Sequence, residues 1–134
     1  LNFSDDDTYY GFGWSHNFKK QGIWSEGQMS TLLFTTEKND QDLMLEILYE
    51  PYITKKNKIF EFDIYINNLL SKEMIIKENK PNKLEIIIKK NSIKNNEVKI
   101  DFNLKNPISP YEVLESPDGR KLGILVKTIK LTSI

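Results

Sequence analysis

The stretch IFEFDIYIN, residues 59–67, decides the fold class of this chain. Apolar side chains occupy every second position from Phe60 to Ile66, and Glu61 and Asp63 stand between them. Because side chains alternate between the two faces of a β-strand, this order buries one face and leaves the other in water. Aromatic and β-branched residues, which favour strands, make up the apolar face. The stretch therefore predicts a half-buried β-strand.

The same alternation recurs along most of the chain. It is found in DLMLEILYE (42–50), KLEIIIKK (83–90) and EVKIDFNL (97–104), and further strands are predicted at 29–36, 72–77 and 122–132. Turn-forming sequences such as INNLLS, ENKPNK and NPISP lie between these segments. No window of helical length has an amphipathic pattern. The sequence predicts an all-β fold: an antiparallel, jelly-roll-like β-sandwich of about 7–9 strands with little or no helix.

The length of 134 residues fits a single domain that covers 1–134. We expect residues 1–28 to form an irregular segment rich in aromatic residues and glycine, and residues 29–134 to supply the strands. Because the chain begins with Leu1 and not with Met, we also expect the domain to be excised from a larger protein. No run of about 18 apolar residues occurs, so no transmembrane segment is expected.

The charge balance and the lack of cysteine exclude several classes of function. Nineteen basic residues balance nineteen acidic ones, whereas nucleic-acid-binding domains usually carry a basic excess. Arg120 is the only arginine, although arginine is the residue best suited to bidentate contacts with phosphate and guanine. No nucleic-acid partner is therefore expected. The chain has no cysteine, which excludes disulfides, thiolate catalysis and Cys-based zinc sites and fits a reducing compartment.

The segment GWSHNFKKQGIWSEG, residues 13–27, differs from the rest of the chain. It contains both tryptophans, the only histidine and three of the six glycines. Indole rings stack on the apolar faces of sugars, and loops on a rigid scaffold commonly carry binding sites. The segment therefore predicts a sugar site with Trp14, His16, Trp24 and Glu26. The alternative is structural: the tryptophans anchor the core, and the glycines only permit turns.

A second unusual segment, ESPDGRKLG, lies at residues 115–123 and precedes the last predicted strand. Its Asp118 and Arg120 are added to the candidate sugar-binding residues. The guanidinium can clamp Asp118 or Glu26 or stack on a tryptophan. The alternative is that Arg120 is a structural fork that ties the last loop to the N-terminal segment.

These two segments resemble an accessory domain appended to bacterial glycosyltransferases and related enzymes of surface-polysaccharide (capsule or O-antigen) assembly. The resemblance is carried by Gly13-Trp14, by the G-x-W-S-x-G motif at 22–27 and by the D-x-R-x-L-G motif at 118–123. It implies a β-sandwich, recognition of a glycan or glycan acceptor, and a glycosyltransferase catalytic domain as partner. A cytoplasmic location, free or at the inner face of the bacterial membrane, is expected on this basis. His16, Asn17 and Phe18 lie where the family often has a glutamate.

Enzymatic chemistry has weak support in the sequence. A lone histidine provides no hydrolytic triad, and no pair stands out among the acids near the two segments, namely Glu26, Glu112, Glu115 and Asp118. The run Asp5–Asp7 supplies too few oxygens in a known pattern for Ca²⁺. We therefore expect no catalytic residue, no metal and no cofactor in this domain.

Three functions remain open, in the following order. The first is a non-catalytic sugar-recognition module in which Trp14→Ala and Trp24→Ala weaken glycan binding and leave the fold intact. The second is a structural domain that docks on its parent enzyme or dimerises through a sheet, with an apolar patch near Ile75, Ile76 or Ile87. The third is an enzyme, which would need a deep pocket with two perturbed carboxylates.

Overall fold

The structure, a computed structural model, describes residues 10–15, 22–36, 41–113 and 115–134. In these ranges the chain forms eight strands and one short 3-10 helix, Lys90–Ser92. The strands are β1 (Ile23–Glu26), β2 (Met29–Thr35), β3 (Leu43–Pro51), β4 (Phe60–Ile66), β5 (Leu69–Ile76), β6 (Asn82–Ile88), β7 (Glu97–Leu104) and β8 (Leu122–Ser133). Within the described ranges, no helix has the length and apolar composition needed to cross a membrane.

The strands form two antiparallel four-stranded sheets. Sheet A has the order β1-β8-β3-β6, and sheet B has the order β2-β7-β4-β5. The pairs β1–β8, β2–β7, β3–β6 and β4–β5 are nested, as in a long two-stranded ribbon that is folded over on itself. This is the strand order of a jelly roll. The predicted all-β antiparallel sandwich is confirmed.

The core lies between the two sheets and is built by the alternating residues that the sequence shows. The inward side chains of the opening stretch, from Phe60 to Ile66, are at most 6% exposed. Phe62 contacts Tyr49 from sheet A edge-on, with ring centroids 5.6 Å apart, and it also packs near Phe102 of β7. Burial of such rings and branched side chains is the main stabilising contribution to a sandwich of this kind.

Strand β5 begins earlier than the sequence pattern predicts. Asn67 and Asn68 both have positive φ angles, 46° and 70°, which is the geometry of a two-residue turn that matches strand twist. The chain therefore reverses at these two residues, and Leu69–Ser71 of the predicted turn INNLLS already belong to β5. Asparagine tolerates the left-handed region better than other residues with a side chain, so the turn needs no glycine.

The segment 1–28, predicted to be irregular, contains strand β1. Ile23 and Trp24 pair with Val126 and Leu125 of β8. The strand was missed because four residues are too few to show a period of two, and because its pairing partner lies about a hundred residues away in the sequence. Such long-range pairing is invisible to local pattern analysis.

Residues 10–15, which we call the strap, join the two sheets along one side of the sandwich. The Gly11 N–H donates to the Thr31 carbonyl of β2 at 2.8 Å, and the Thr31 N–H donates to the Phe12 carbonyl at 3.0 Å. Further along, the Ser15 N–H donates to the Trp24 carbonyl of β1 at 2.9 Å. The strap thus covers the edge strand of sheet B and then the edge strand of sheet A.

Candidate functional site

The end of the strap and the loop before β8 meet at an open depression of about 530 Å³. It is lined by Gly13, Trp14, Glu26, Gly27, Gly119, Arg120 and Lys121. The structure therefore brings together residues from both unusual sequence segments. We call this feature the Arg120 depression.

Arg120 bonds to both sides of the depression. Its Nε and Nη2 donate to the Asp118 carboxylate at 2.6–3.0 Å, and its Nη1 donates to the Ser15 hydroxyl at 2.6 Å. The Ser15 hydroxyl in turn donates to Glu26 Oε2 at 3.3 Å. The clamp on Asp118 is therefore present. The fork that joins the last loop to the N-terminal segment is present as well, so these two alternatives coexist.

The Arg120–Asp118 pair also keeps both of its side chains ionised. The side-chain hydrogen bonds from Arg120 hold the pKa of Asp118 below its ordinary value, and the same bonds raise the pKa of Arg120. A lowered pKa keeps Asp118 ionised, whereas a general acid requires a raised one. The pair is therefore suited to holding a fixed hydrogen-bonding geometry, and it is poorly suited to proton transfer.

The serine of the first motif and the last glycine of the second pack against each other. The Ser25 hydroxyl accepts a 2.8 Å hydrogen bond from the buried Ile124 N–H. A Cβ on Gly123 would lie 2.9 Å from Ser25 Oγ and 2.8 Å from the Phe60 ring. Only glycine leaves room for this bond at that point. The two motifs therefore meet in the protein because β1 pairs with β8.

Two glycines of the N-terminal segment are also required by close backbone contacts. Gly13 has φ of 86°, and a Cβ there would lie 2.0 Å from the Met29 carbonyl oxygen. Gly22 has φ of 123°, and a Cβ there would lie 2.3 Å from the Val126 carbonyl oxygen. The backbone conformation and these close contacts require glycine at both positions, whether or not a ligand binds.

Trp14 is a core residue in this structure. Its side chain is buried, and its Nε1 donates to the Thr31 carbonyl at 2.9 Å. Tyr10 and Phe102 contact the indole edge-on, with centroids 5.0 and 5.9 Å away. The structural alternative holds for Trp14, which contributes to one wall of the depression and does not present an open ring face.

Trp24 has a different environment. It is half-buried and alternates with the buried Ser25, so it faces away from the core on the outer side of sheet A. Its ring meets the Tyr52 ring edge-on at a centroid distance of 5.7 Å. The Tyr52 hydroxyl donates to Glu115 Oε1 at 2.5 Å. Burial, followed by this bond and the charges of Glu115 and Asp118, raises the pKa of Tyr52, so its hydroxyl stays protonated.

Trp24 and the depression are neighbours. Trp24 and Glu26 are two positions apart on one strand, so they face the same side about 7 Å apart. The charge of Asp118, which binds Arg120, also acts on Tyr52. The aromatic pair therefore lies beside the depression.

Four residues at or beside the depression were not among the predicted sugar-binding residues: Ser15, Tyr52, Tyr111 and Lys121. Tyr111 is 64% exposed, and its N–H donates to the Asp118 carbonyl at 2.8 Å. Lys121 lines the depression and pairs with Glu112. Tyr52 stands in the predicted turn PYITKKNK, and Tyr111 directly follows the predicted turn NPISP. Nothing local indicates that these turns approach the N-terminal segment.

Some predictions concern residues outside the described ranges. His16 and the acidic run Asp5–Asp7 are among them, so the role of His16 in sugar binding and the absence of a calcium site at Asp5–Asp7 both stay predictions. In the described part of the chain, no group of three or more His, Cys, Asp or Glu side chains is arranged to hold a metal ion.

Comparison with known proteins gives similarity at the level of structure. No family model matches the sequence, and no curated protein sequence matches it. The CBM36-1 domain of a multidomain xylanase from the hindgut metagenome of Trinervitermes trinervoides is similar, with a TM-score of 0.62 and 9% identity over 100% of this chain and 97% of that one. A family 35 carbohydrate-binding module from an environmental isolate gives a TM-score of 0.63 and 9% identity over 99% and 93%.

A third similar structure is the carbohydrate-binding module CBM36 in complex with calcium and xylotriose. Its TM-score is 0.53, and the 12% identity extends over 98% of both chains. At these identities the likeness shows a shared β-sandwich fold.

Proposed function

We propose that this domain is a non-catalytic carbohydrate-binding module whose site consists of the Arg120 depression and the adjoining Trp24–Tyr52 pair. The observation that carries the proposal is this combination: a half-exposed aromatic pair next to an open hollow that is lined in part by the charged side chains of Glu26, Arg120 and Lys121. Carbohydrate sites need both an apolar surface for the sugar ring and fixed polar groups for its hydroxyls.

The polar groups of the depression are held in place before any ligand arrives. Arg120 has five N–H groups, and its bonds to Asp118 and Ser15 use three of them among the described residues, which leaves two N–H groups for a ligand. Glu26 Oε2 accepts from Ser15, while Oε1 accepts no hydrogen bond from the described residues and can accept one from a sugar hydroxyl. Because Asp118 and Ser15 already fix these side chains, binding would cost little side-chain entropy.

The fold supports the same function. Three of the similar structures are described as carbohydrate-binding modules, and one of them contains xylotriose. Sequence identity of 9–12% does not carry a ligand from them to this chain. We infer only the class of ligand, a glycan, and we assign the site from the residues of this chain.

The biological setting belongs to the proposal as well. The GW, GxWSxG and DxRxLG motifs suggest that residues 1–134 form one domain of a bacterial enzyme of surface-polysaccharide assembly, such as a glycosyltransferase. In that setting the domain is cytoplasmic or lies at the inner face of the membrane, and it presents the glycan or acceptor to the catalytic domain of its parent chain.

The proposal is tested by titrating ¹⁵N-labelled protein with xylo- and manno-oligosaccharides and with fragments of bacterial surface polysaccharides. We expect saturable NMR shifts at residues 22–27 and 118–121 with at least one glycan. Trp24→Ala and Glu26→Gln should each weaken its binding about tenfold, the equivalent of 1.4 kcal/mol. Tyr65→Ala, which alters a half-buried tyrosine on the outer face of sheet B, is the matched control and should bind normally.

Two results would contradict this assignment. If no glycan shifts any resonance at millimolar concentration, the recognition function is wrong. If a glycan shifts residues of sheet B and Tyr65→Ala is the variant that weakens binding, the function stands but the site is wrong.

The docking function is the second candidate, and exposed apolar residues favour it. Ile75 on β5 is 61% exposed and Ile87 on β6 is 49% exposed. Ile76, the third residue of the expected patch, is partly buried against the core. Ile75 and Ile87 thus lie on the edge strands of the two sheets, at the opposite side of the sandwich from the strap.

A further inference from the structure

In the part of the chain that the structure describes, the outer edge of β6 is open. Sheet A ends at β6, and among the described residues only β3 pairs with it. An edge strand presents a row of unpaired N–H and C=O groups that can pair with another strand. Proteins usually obstruct such edges with bulges, prolines or charged side chains that point inward.

The neighbouring edge strand, β5, has this protection. Its pairing with β4 shifts register between Ile64 and Tyr65, so it contains a bulge. Lys72 stands opposite the buried Ile64 and thus on the inward side of the strand. A second strand added at β5 would have to bury this lysine.

Strand β6 has neither obstacle. It pairs with β3 in continuous register from Ile88 to Asn82. Its inward side chains Leu84, Ile86 and Ile88 are buried and apolar. Pro81 stands before the strand and leaves the N–H groups of the strand in place.

We propose that a second copy of this chain pairs with β6 in antiparallel orientation, so that the two A sheets form one continuous eight-stranded sheet. The twofold axis passes Leu84, and residues 82–86 of one copy pair with residues 86–82 of the other. Lys83 of each copy then lies opposite Glu85 of its partner.

Charge selects this register. A strand of residues 82–88 has three antiparallel self-pairings that keep five or more residues paired and set inward side chains opposite inward side chains. The pairing centred on Glu85 puts like charges opposite each other, which is destabilising. The pairing centred on Ile86 places Glu85 opposite an isoleucine. The pairing centred on Leu84 forms two opposite-charge pairs, Lys83 with Glu85 in both directions.

The charges of the neighbouring strand support the same register. Glu85 lies directly opposite Glu46 of β3, and Glu46 lies opposite Lys130 of β8. Lys83 reaches both glutamates only at 3.5–3.8 Å and is 56% exposed. In the paired dimer, the lysine of the second copy completes the row Lys130–Glu46–Glu85–Lys83, and each of the two adjacent glutamates then has a cation on its outer side.

The dimer would also cover exposed apolar side chains. Leu69 and Leu70 of β5 are 65% and 50% exposed, and with Ile87 they line a cleft of about 260 Å³ between the two edge strands. Exposed apolar surface of this kind is typical of interaction sites. In the register centred on Leu84, Pro81 of the second copy comes opposite Ile87, so the second copy lies at one end of this cleft and partly covers it.

The arrangement has a consequence for recognition, which rests on the proposed function. β1 lies at the opposite edge of sheet A from β6, so the two Arg120 depressions would lie at the two far edges of the joint sheet. Seven strand spacings of about 4.8 Å separate these edges by about 34 Å. A dimer could therefore bind two points of one polysaccharide or two neighbouring chains.

The test is sedimentation velocity of the 134-residue chain between 1 μM and 1 mM, without glycan, so that its outcome does not depend on sugar binding. We expect a concentration-dependent dimer. Lys83→Glu and Glu85→Lys should each raise the dimer dissociation constant about tenfold or more, because each creates two like-charge pairs. The double variant Lys83→Glu/Glu85→Lys restores opposite charges and should restore the dimer. Lys58→Glu, on an exposed loop, is the matched charge control.

A chain that is monomeric at 1 mM overturns the proposal. A dimer that ignores both single reversals, or that the double variant fails to restore, also overturns it, provided that circular dichroism shows folded protein. Both substituted side chains are exposed, so the fold of the variants is expected to persist.

Discussion

At the scale of single residues, the contact between Ser25 and Gly123 shows how short motifs can have a structural cause. The serine hydroxyl satisfies the buried Ile124 N–H, and the glycine leaves the space that this bond needs. An unsatisfied buried N–H costs about 1–3 kcal/mol. Each residue therefore depends on the other, although about a hundred positions separate them.

At Tyr49 the core buries a polar group, which lowers the stability of the fold. Its ring is 1% exposed, and its hydroxyl has no hydrogen-bond partner among the described residues. Burial raises its pKa to about 12. Tyr49→Phe should therefore raise the free energy of unfolding at neutral pH by about 1 kcal/mol, as measured by urea denaturation.

The pH dependence of this variant provides a control. A raised pKa in the folded state contributes stability that is present below the unfolded pKa of about 10 and is lost as pH rises toward the folded value. The advantage of Tyr49→Phe should consequently increase above about pH 10. A variant that is less stable than the wild type at neutral pH would show that the hydroxyl has a partner in solution, such as a buried water.

The pair Arg120–Asp118 gives a second prediction at this scale. Arg120→Met keeps an unbranched side chain of similar length and removes the hydrogen bonds that lower the pKa of Asp118. We expect the pKa of Asp118, followed by carboxyl NMR, to rise toward its ordinary value of about 3.9.

The sign of the linked stability follows from that direction. In the wild type, a depressed carboxyl pKa contributes stability above the unfolded pKa, and this contribution is lost as pH falls below about 4. Arg120→Met should therefore unfold with a weaker pH dependence between about pH 4 and 2. An unchanged Asp118 pKa would mean that the guanidinium does not hold this carboxylate in solution.

At the scale of elements, the strap is the segment that bonds to both sheets. It pairs with β2 and with β1, and so it protects the edge strands of both sheets at one side. Trp14 fixes the strap to the core through its ring contacts and its bond to Thr31. Trp24 faces outward from β1 and contributes to the surface.

This difference revises the mutational prediction made from sequence, in which both tryptophans can be removed without loss of the fold. Trp14→Ala should lower the free energy of unfolding by about 3–5 kcal/mol, as expected for a buried aromatic residue. Trp24→Ala should cost much less and should weaken glycan binding. Trp14→Phe, which retains a ring, serves as the matched control in thermal denaturation. Equal losses of stability in the two alanine variants would contradict the division of roles.

At the scale of the whole molecule, the nested strand order determines how the protein folds. The hairpin β4–β5 closes through the two-residue turn at Asn67 and Asn68, whereas β1 and β8 come from opposite parts of the chain. Pairing distant strands requires closure of long loops before contacts form. The central hairpin is local, and each further pair of the ribbon is less local than the one before.

We therefore expect slow folding for a chain of this length, in milliseconds to seconds. Stopped-flow tryptophan fluorescence of Trp24→Phe, which retains Trp14 alone, reports when the strap closes over the core. The Trp14 signal should develop with the slow phase that forms β1–β8. A change in Trp14 fluorescence that is complete within a millisecond would contradict this order.

The sequence alone determined the fold class and seven of the strands, because alternation is a local property that each strand carries in its own residues. It also identified the two segments that form the Arg120 depression, since their composition departs from that alternation. It could not identify β1, because a four-residue strand next to glycines has too short a pattern.

Only the tertiary structure decided which tryptophan is buried and which residues share the site. Trp14 and Trp24 have similar local sequences, but Trp14 is buried in the core, whereas Trp24 lies on the outer face of β1. Ser15 and Tyr111 join the site because β1 pairs with β8, and Tyr52 joins it because β3 pairs with the same strand. Long-range pairing of this kind is a property of the assembled sheets, and a local pattern of residues does not encode it.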